Sequence, residues 1–499
     1  MIRTKIVATM GPAVATAETL LSLFQAGADV CRLNFSHGSL DEHLAMLRII
    51  REAAARHDQP IAILGDLCGP KIRLGKIADH ASTGGMPVNV GDEIILQREA
   101  ITGENGRVSC ILPTLIDDIR VGDRLLVEDG LIRFVCTDKN FNELKLSCTT
   151  GGILKSSKGI NLPSTPLNVQ SITDRDWECV DWAIDNNLDY LALSFVRRPD
   201  ELILLRDHLR HHSSDIQLIA KIEKAEAVKD IDPIIDAADG LMVARGDLGV
   251  EMDAAQVPII QKDLIRRCQS AGKPVIVATQ MLQSMIEQAS PTRAEVSDVA
   301  NAIFDGTDAV MLSGETSVGK FPIAAVHIMN HIAGTTEEYL VSQLTPTSAP
   351  PLRLKTMSLS SSLAKGVWQI VQDLKPRVVV IWSQNGTTAR IFSKARFPVP
   401  VIALSSDHCT LRRMALHYGI TPREMAPPGN FVELATQIDA MLREQKFAAD
   451  GDRALIVAGA SMGTPGTQDG IIVHTVGQQW TETHSSAQSP ETAIIPEKQ

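Results

Sequence analysis

Glu223 and Asp247 are carboxylates at or just beyond the ends of two successive apolar runs, 217–223 and 241–245. Facing one mouth, two carboxylates suit a single hard divalent cation, Mg2+ or Mn2+. Magnesium is usually held by one or two carboxylates, with substrate oxygens and water filling its remaining positions. Lys221 precedes Glu223 by two residues, and the period of a strand sets both side chains on the same side, an ammonium beside the metal. Arg32 and Arg73 add guanidinium groups. A cation, a lysine and one or two arginines at one spot describe a clamp for a phosphoryl group in transfer. The alternative is an ion pair of the carboxylates with Lys221 or Arg245 and no chemistry. The segment ARGDLG also brings backbone N–H groups to a turn that opens a short helix, a seat for a substrate carboxylate.

Such a clamp needs elements that carry distant residues to one place. Short β-branched runs at 4–9, 30–34, 61–67, 190–194, 217–223, 241–245, 274–279 and 309–313 alternate with amphipathic stretches. The runs are continuously apolar, as in parallel strands buried on both faces. Thr16 reads as an N-cap, with Leu20, Leu23 and Phe24 on one helical face and Gly27 as a stop. Ser290-Pro291 reads as an N-cap followed by proline at the first helical position. The repeats predict an α/β fold built on a (β/α)8 barrel, whose chemistry gathers at the C-terminal strand ends. Those ends carry Arg32, Asn34, Ser36 and His37, then Asp66, then Ser194 and Arg197, then Lys221 and Glu223. Arg245 and Asp247, Thr279 and Gln280, and Ser313 and Glu315 complete the set. Any one of these alone reads as a turn former or a cap. Lysine and arginine cap helices poorly, so the whole set points to a site.

Between residues 67 and 190 lies far more chain than a βα unit needs. VGDEIIL, VGDRLLVEDGLIRFVC and LKLSC read as short strands, and Asp129-Gly130 as a hairpin turn. Residues 71–157 therefore predict a small antiparallel β-barrel domain inserted into a catalytic barrel of residues 1–70 and 158–342, overhanging its mouth as a lid. Residues 343–357, rich in Pro, Ser and Thr, read as a linker. Strand-like runs at 377–382, 399–404, 454–458 and 471–476, with a helix at 431–445, predict a C-terminal α/β domain over 358–476. The polar tail 477–499 reads as disordered.

Length and composition agree with several domains. A chain of 499 residues exceeds one core, and 44% hydrophobic with 21% charged residues excludes general disorder. A net charge of −11 and the lack of a basic run argue against nucleic acid or an anionic membrane as partner. The longest apolar runs are strand-length, short of the about 20 residues of a spanning helix. The apolar N-terminal stretch ends at Gly11-Pro12, too soon for a signal segment. Eight scattered cysteines without a Cys-x-x-Cys pair suggest reduced thiols in the cytoplasm. Neither a P-loop nor a Gly-x-Gly-x-x-Gly after a strand occurs, so any nucleotide binds without them.

TKIVATMGPA, RLNFSHG, GDLCGPKIR, KGINLP, AKIE, MVARGDLG, VATQML, PTRAEVSDVANA and MLSGET resemble, in this order, the motifs of the pyruvate kinase family. The resemblance implies transfer of phosphate from phosphoenolpyruvate to ADP, giving ATP and pyruvate. It implies that Lys221 stabilises the phosphoryl group in flight, Glu223 and Asp247 bind the divalent ion, and Arg32 holds the phosphate. Gly246 and Asp247 would offer backbone N–H groups to the carboxylate, and Thr279 would sit over the enolate face. Asn34, His37, Arg73 and Lys158 would contact the nucleotide. In the C-terminal domain, SQNGTTAR (Ser383, Asn385, Gly386, Thr387, Thr388) looks like the family's phosphate pocket for an allosteric effector, although a capped βα turn reads the same way. The family also suggests a homotetramer, with the PTRAEVSDVANA helix near an interface.

One departure stands out. Members that need K+ carry Thr-Lys-Gly-Pro-Glu-Ile-Arg where this chain has Leu67-Cys68-Gly69-Pro70-Lys71-Ile72-Arg73. The Lys71 ammonium would replace the monovalent ion otherwise bound near Asn34, Ser36, Asp66 and Leu67, so K+ is predicted not to be required. The alternative is a solvated lysine on the hinge. A Mg2+-dependent barrel lyase or aldolase acting on a pyruvate-like ligand would use similar strand-end groups, but it would need neither the lid nor Lys158. A non-catalytic regulatory homologue is the third reading. Against it, every motif residue that carries chemistry is present.

Overall fold

Eight parallel strands, Lys5–Thr9, Val30–Asn34, Ala62–Asp66, Tyr190–Leu193, Gln217–Ile222, Gly240–Ala244, Val275–Ala278 and Ala309–Leu312, close into a barrel in chain order. The computed structural model describes residues 2–78, 84–163, 165, 169–345, 354, 358–459 and 470–478. Each strand lies within a residue or two of an apolar run seen in the sequence. Side chains alternate between two cores. Ile6, Ala8, Cys31 and Leu33 pack outward against the helices. Val7, Val30, Leu64, Ala192, Ile219 and Met242 fill the interior. Burying a large aliphatic side chain is worth about 1.5–3 kcal/mol, so this alternation fixes the register. It also aims the site. Two residues after an inward Val7, Val30, Leu64, Ala192 or Ile219 come Thr9, Arg32, Asp66, Ser194 and Lys221.

The intervening helices are set by local chemistry. Thr16 caps Ala17–Gln25 by accepting from the Thr19 N–H. Thr173 and Asp176 form a reciprocal capping box at the start of Asp174–Asp185. The expectation at Ser290-Pro291 is corrected: the cap is Thr292, and the helix is Arg293–Phe304. Glu295 lies three residues after Thr292 and returns its hydrogen bond, a reciprocal pair that Ser290 does not make.

The inserted segment folds as a six-stranded sheet in the order Ile160–Asn161, Arg124–Val127, Ile132–Lys139, Glu143–Thr150, Glu93–Gln97 and Arg107–Ser109. Gly152–Leu154 pairs with Met86–Val88 beside it. The Asp129-Gly130 turn joins Arg124–Val127 to Ile132–Lys139, with Glu128, Asp129 and Gly130 all at positive φ. This sheet buries its own apolar cluster, including Leu125, Phe134, Leu144 and Leu146.

The C-terminal sheet runs Ile420–Glu424, Val401–Ser405, Val378–Trp382, Arg453–Ala458 and Gly470–Thr475, with the last strand antiparallel. The strand Ile420–Glu424 (ITPRE) has no counterpart among the apolar runs. It contains Pro422, and it lies at the sheet's edge, where proline is tolerated. Ala415 and Leu416 of this domain join the core that fills the barrel interior, so the domain closes the barrel's N-terminal end. The linker reading falls largely, and the tail reading from residue 479 wholly, on residues outside those described. Among the described residues, no helix is long and apolar enough to cross a membrane.

Candidate active site

At the C-terminal mouth of the barrel the side chains meet around Asp66, which is almost fully buried. Its Oδ2 accepts from Arg32 Nε at 2.7 Å, and its Oδ1 lies 3.1 Å from Lys221 Nζ. Lys221 Nζ also lies 3.0 Å from Glu223 Oε1 and donates to Ser194 Oγ at 2.6 Å. Ser194 passes the chain on to the Leu67 carbonyl at 2.7 Å. Arg32 Nη1 donates to Thr9 Oγ1 at 3.0 Å. Five strand ends thus supply one hydrogen-bonded cluster holding two cations and two carboxylates.

Its electrostatics follow from burial and charge. Burial pushes the Asp66 carboxyl up, but Lys221 and Arg32 outweigh it and hold the group below the usual carboxylate range. Burial pushes Lys221 down, and Asp66 with Glu223 more than reverse this, so the ammonium stays firmly charged. Asp247 is different. Burial and the neighbouring charge of Glu223 push it up to about 7, against the pull of Lys221. Asp247 thus meets a second carboxylate, and beyond the Lys221 ammonium the pair can take further positive charge. A hard divalent ion fits there by the chemistry of its oxygen donors. Glu223 is oriented by the Phe195 N–H, which donates to Oε2 at 2.6 Å. Phe195 sits against Gly69, whose φ of +64° and distance of 2.8 Å from Phe195 to a notional Cβ require glycine.

Thr279 adopts φ of +69°, an uncommon state for a β-branched residue. Its Oγ1 donates to the Ala278 carbonyl at 2.7 Å and accepts from the Gly246 N–H at 2.8 Å. The Gly246 N–H expected to face a carboxylate is therefore engaged with Thr279. Arg245 holds this strained turn: its Nη2 donates to the Thr279 carbonyl at 2.8 Å, and its Nη1 to Asp298 at 2.7 Å. Of the alternative ion pairs, the one with Lys221 is present, to Glu223 at 3.0 Å, whereas Arg245 pairs, among the described residues, with Asp298 on the helix Arg293–Phe304.

Between lid and barrel lies a cavity of about 360 Å3 lined by Arg73, Asp129, Lys158, Arg197, Lys224 and Asp247, among others. Arg73 lines this cleft together with Asp247, beside the hydrogen-bonded Asp66 cluster rather than bonded into it. It is anchored at the lid hinge by Nη1 donating to the Ser157 carbonyl at 2.8 Å. Lys158 pairs with Glu128 across the hinge at 2.6 Å. Lys71 donates to Ser36 Oγ at 2.8 Å, and Asn34 Oδ1 accepts from the Ser36 N–H at 3.2 Å. Partial burial, then Lys71, Arg73 and Arg32, push the His37 imidazole down.

Of the other strand-end residues, Glu315 serves its own turn, accepting from the Leu282 and Ser313 N–H groups, and Arg197 lines the cleft while pairing with Glu201 at 3.0 Å. The sequence reading missed Thr9, Asp176 and Asp298 as partners of the site. Asp176 accepts from the Cys68 and Gly69 N–H groups at 2.8 and 3.2 Å, fixing the loop that carries Lys71. The capping-box spacing at Thr173 was the one signal available for Asp176. Nothing local marks Asp298.

In the C-terminal domain, Ser383 follows the strand Val378–Trp382, and Gly386 at φ of +78° opens the helix Thr387–Ser393. Ser383 Oγ accepts from the Ala389 N–H at 3.1 Å, and Asn385 Oδ1 from the Thr387 N–H at 3.2 Å. These two side chains serve their own turn. Thr388 is buried in the same helix. The partner loop at 463–466 lies outside the described residues.

A closed (β/α)8 barrel with a cation cluster at its mouth, an inserted β lid and a C-terminal α/β domain defines a phosphotransferase class of enzyme. Family models described as "Pyruvate kinase, barrel domain" and "Pyruvate kinase, alpha/beta domain" match residues 1–326 and 361–474. The chain is 41% identical over 484 residues to a pyruvate kinase of Geobacillus stearothermophilus, covering 95% of this chain and 80% of that one. It is 40% identical over 476 residues to pyruvate kinase 2 of Synechocystis, covering 95% and 79%. A crystal structure of a pyruvate kinase from Cryptosporidium parvum superposes with a TM-score of 0.87 at 31% identity, over 95% of this chain and 96% of that one. The chain belongs to the pyruvate kinase family.

Proposed function

We propose that the barrel mouth transfers the phosphoryl group of phosphoenolpyruvate to ADP, giving ATP and pyruvate. The observation that carries this reading is the cluster of Arg32, Asp66, Lys221 and Glu223, joined by hydrogen bonds and ion pairs, with Asp247 of the cleft lining near enough to feel the charges of Glu223 and Lys221. Glu223 and Asp247 would hold Mg2+ or Mn2+. A divalent ion there supplies the positive charge that phosphoryl transfer demands. Lys221 neutralises charge on the migrating group, and Arg32, oriented by Asp66 and Thr9, anchors the phosphate. The P–O bond of phosphoenolpyruvate breaks as a bond to the terminal oxygen of ADP forms. The enolate left behind gains a proton at C3. Thr279 is a poor acid with its hydroxyl engaged, so it positions water rather than owning that proton. For the substrate carboxylate to use the Gly246 and Asp247 N–H groups, Gly246 must first release Thr279 Oγ1. Asn34, His37, Arg73 and Lys158 line the route of the nucleotide under the lid. A coupled lactate dehydrogenase assay tests the reading: pyruvate must appear from phosphoenolpyruvate only when ADP is present.

The Lys71–Ser36 hydrogen bond supports activity without K+. Partial burial, then Lys221 and Arg73, push the Lys71 ammonium down, so it already sits in a crowded positive field. Turnover is expected to survive replacement of K+ by tetramethylammonium in wild type and to require K+ in Lys71→Glu. The domain limits 1–70 with 158–342, 71–157 and 358–476 belong to the same proposal, save that the strand Ile160–Asn161 pairs with Arg124–Val127 and carries the inserted domain past residue 157. So do a phosphorylated effector at Ser383–Thr388, a homotetramer and a cytoplasmic location. Kinetics with and without sugar phosphates and AMP test the effector site.

A further inference from the structure

Two helices on the outside of the barrel, Asp174–Asp185 and Pro199–His211, meet through side chains that the reaction leaves unused. His208 and His212 stand four residues apart and so share one helix face, with His212 at the helix's C-terminal cap. His208 Nε2 lies 2.7 Å from Asp181 Oδ1 on the neighbouring helix. The His208 and His212 ring centroids are 4.6 Å apart, and the Trp177 ring centroid lies 4.7 Å from that of His208. One donor atom from each of Asp181, His208 and His212 lies within 4.8 Å of the others.

We infer that Asp181, His208 and His212 form a binding site for a borderline divalent transition-metal ion of the zinc class. Two imidazole nitrogens and one carboxylate oxygen are a usual zinc donor set, with the fourth tetrahedral position left to water. Bond lengths of about 2.0–2.2 Å set the donor atoms roughly 3.3–3.5 Å apart. The pair Asp181–His208 is already closer than that. His212 is exposed and reaches the remainder by side-chain rotation. Trp177 restricts the His208 ring, which lowers the entropic cost of ordering it. A hard ion such as Mg2+ prefers oxygen donors, so this site and the mouth site select different metals. The two helices that the ion would join also brace the cleft. Asp176 on the first holds the Cys68–Gly69 loop, and Glu201 on the second holds Arg197. An ion bound to the folded chain alone stabilises it by mass action.

The test is a calorimetric titration of the full chain with Zn2+ in excess Mg2+, joined to zinc-edge anomalous diffraction from crystals grown with Zn2+. Wild type is expected to bind one more Zn2+ than H208A/H212A. Asp181→Asn is expected to weaken that site at least about tenfold, and H211A to retain it. The anomalous peak should lie among the three side chains. Equal stoichiometry and affinity in wild type and H208A/H212A, or loss of the site in H211A, overturns the assignment. Anomalous peaks confined to cysteines or to Glu223 and Asp247 overturn it too, and that measurement needs only the wild-type chain.

Discussion

At the C-terminal mouth of the barrel, Lys221 lies within 3.1 Å of both Asp66 and Glu223; at the opposite end, Lys394 of the C-terminal domain reaches Asp308 at 2.7 Å. Both are buried lysines paired with an aspartate, yet their electrostatics run in opposite directions. Two carboxylates overcome burial at Lys221 and hold it charged. At Lys394 burial wins over the single Asp308 carboxylate, Arg396 adds repulsion, and the ammonium is pushed down to about 8. Exposure differs as well. The Lys221 side chain is 11% exposed, whereas Lys394 is 1% exposed. Carboxylate count, more than residue type, separates the lysine held charged from the one pushed down. The two ends divide accordingly, chemistry at the C-terminal face and stability at the N-terminal one.

Four measurements bear on that contrast. The largest effect is expected from Lys221→Ala, which should lower kcat by about 10³-fold or more in the coupled assay, the scale of losing a charge that acts on the transition state. An undiminished rate would erase the distinction between the two lysines. Lys394→Met should instead leave kcat near wild type and cost about 3 kcal/mol in denaturant unfolding, because buried Asp308 keeps the Val275 N–H but, among the described residues, only the more distant Arg396 at 3.4 Å as a cation. The pH response follows from the same group. Lys394 is depressed in the folded chain relative to about 10.4 unfolded, so the unfolded chain binds more protons between those values. Stability should therefore rise from about pH 8 toward about pH 10, and fall back as pH drops through about 8, while Lys394→Met is flat by comparison in thermal melts. The smallest change is expected for Asp298→Asn. By weakening one charge-assisted bond to Arg245, it should slow turnover by about tenfold or less with stability little altered, through the Thr279 carbonyl that Arg245 holds.

Much of this architecture was legible residue by residue. The apolar runs placed all eight barrel strands because parallel strands buried on both faces leave a strong local signal. The strand ends gave Arg32, Asp66, Ser194, Lys221, Glu223 and Asp247, since period-two geometry follows from chain position alone. The edge strand Ile420–Glu424 escaped because its proline and polar residues carry no such pattern. Thr292 displaced Ser290 as a cap because the reciprocal bond to Glu295 decides the matter, and that pairing outweighs the proline signal. Asp298 and Thr9 were invisible as site partners, since their bonds to Arg245 and Arg32 span 53 and 23 residues of chain.

The order of hydrophobic runs and the residue types beside them determined the barrel, the lid and the chemistry its mouth can support, because burial and side-chain alternation are properties of neighbouring residues. Which carboxylate meets which cation was decided only by tertiary structure. Asp298 rather than a mouth carboxylate takes Arg245, Asp66 unites Arg32 with Lys221, and Gly246 gives its N–H to Thr279. Charge pairing depends on distances of a few ångströms between remote segments, and sequence spacing does not encode those distances.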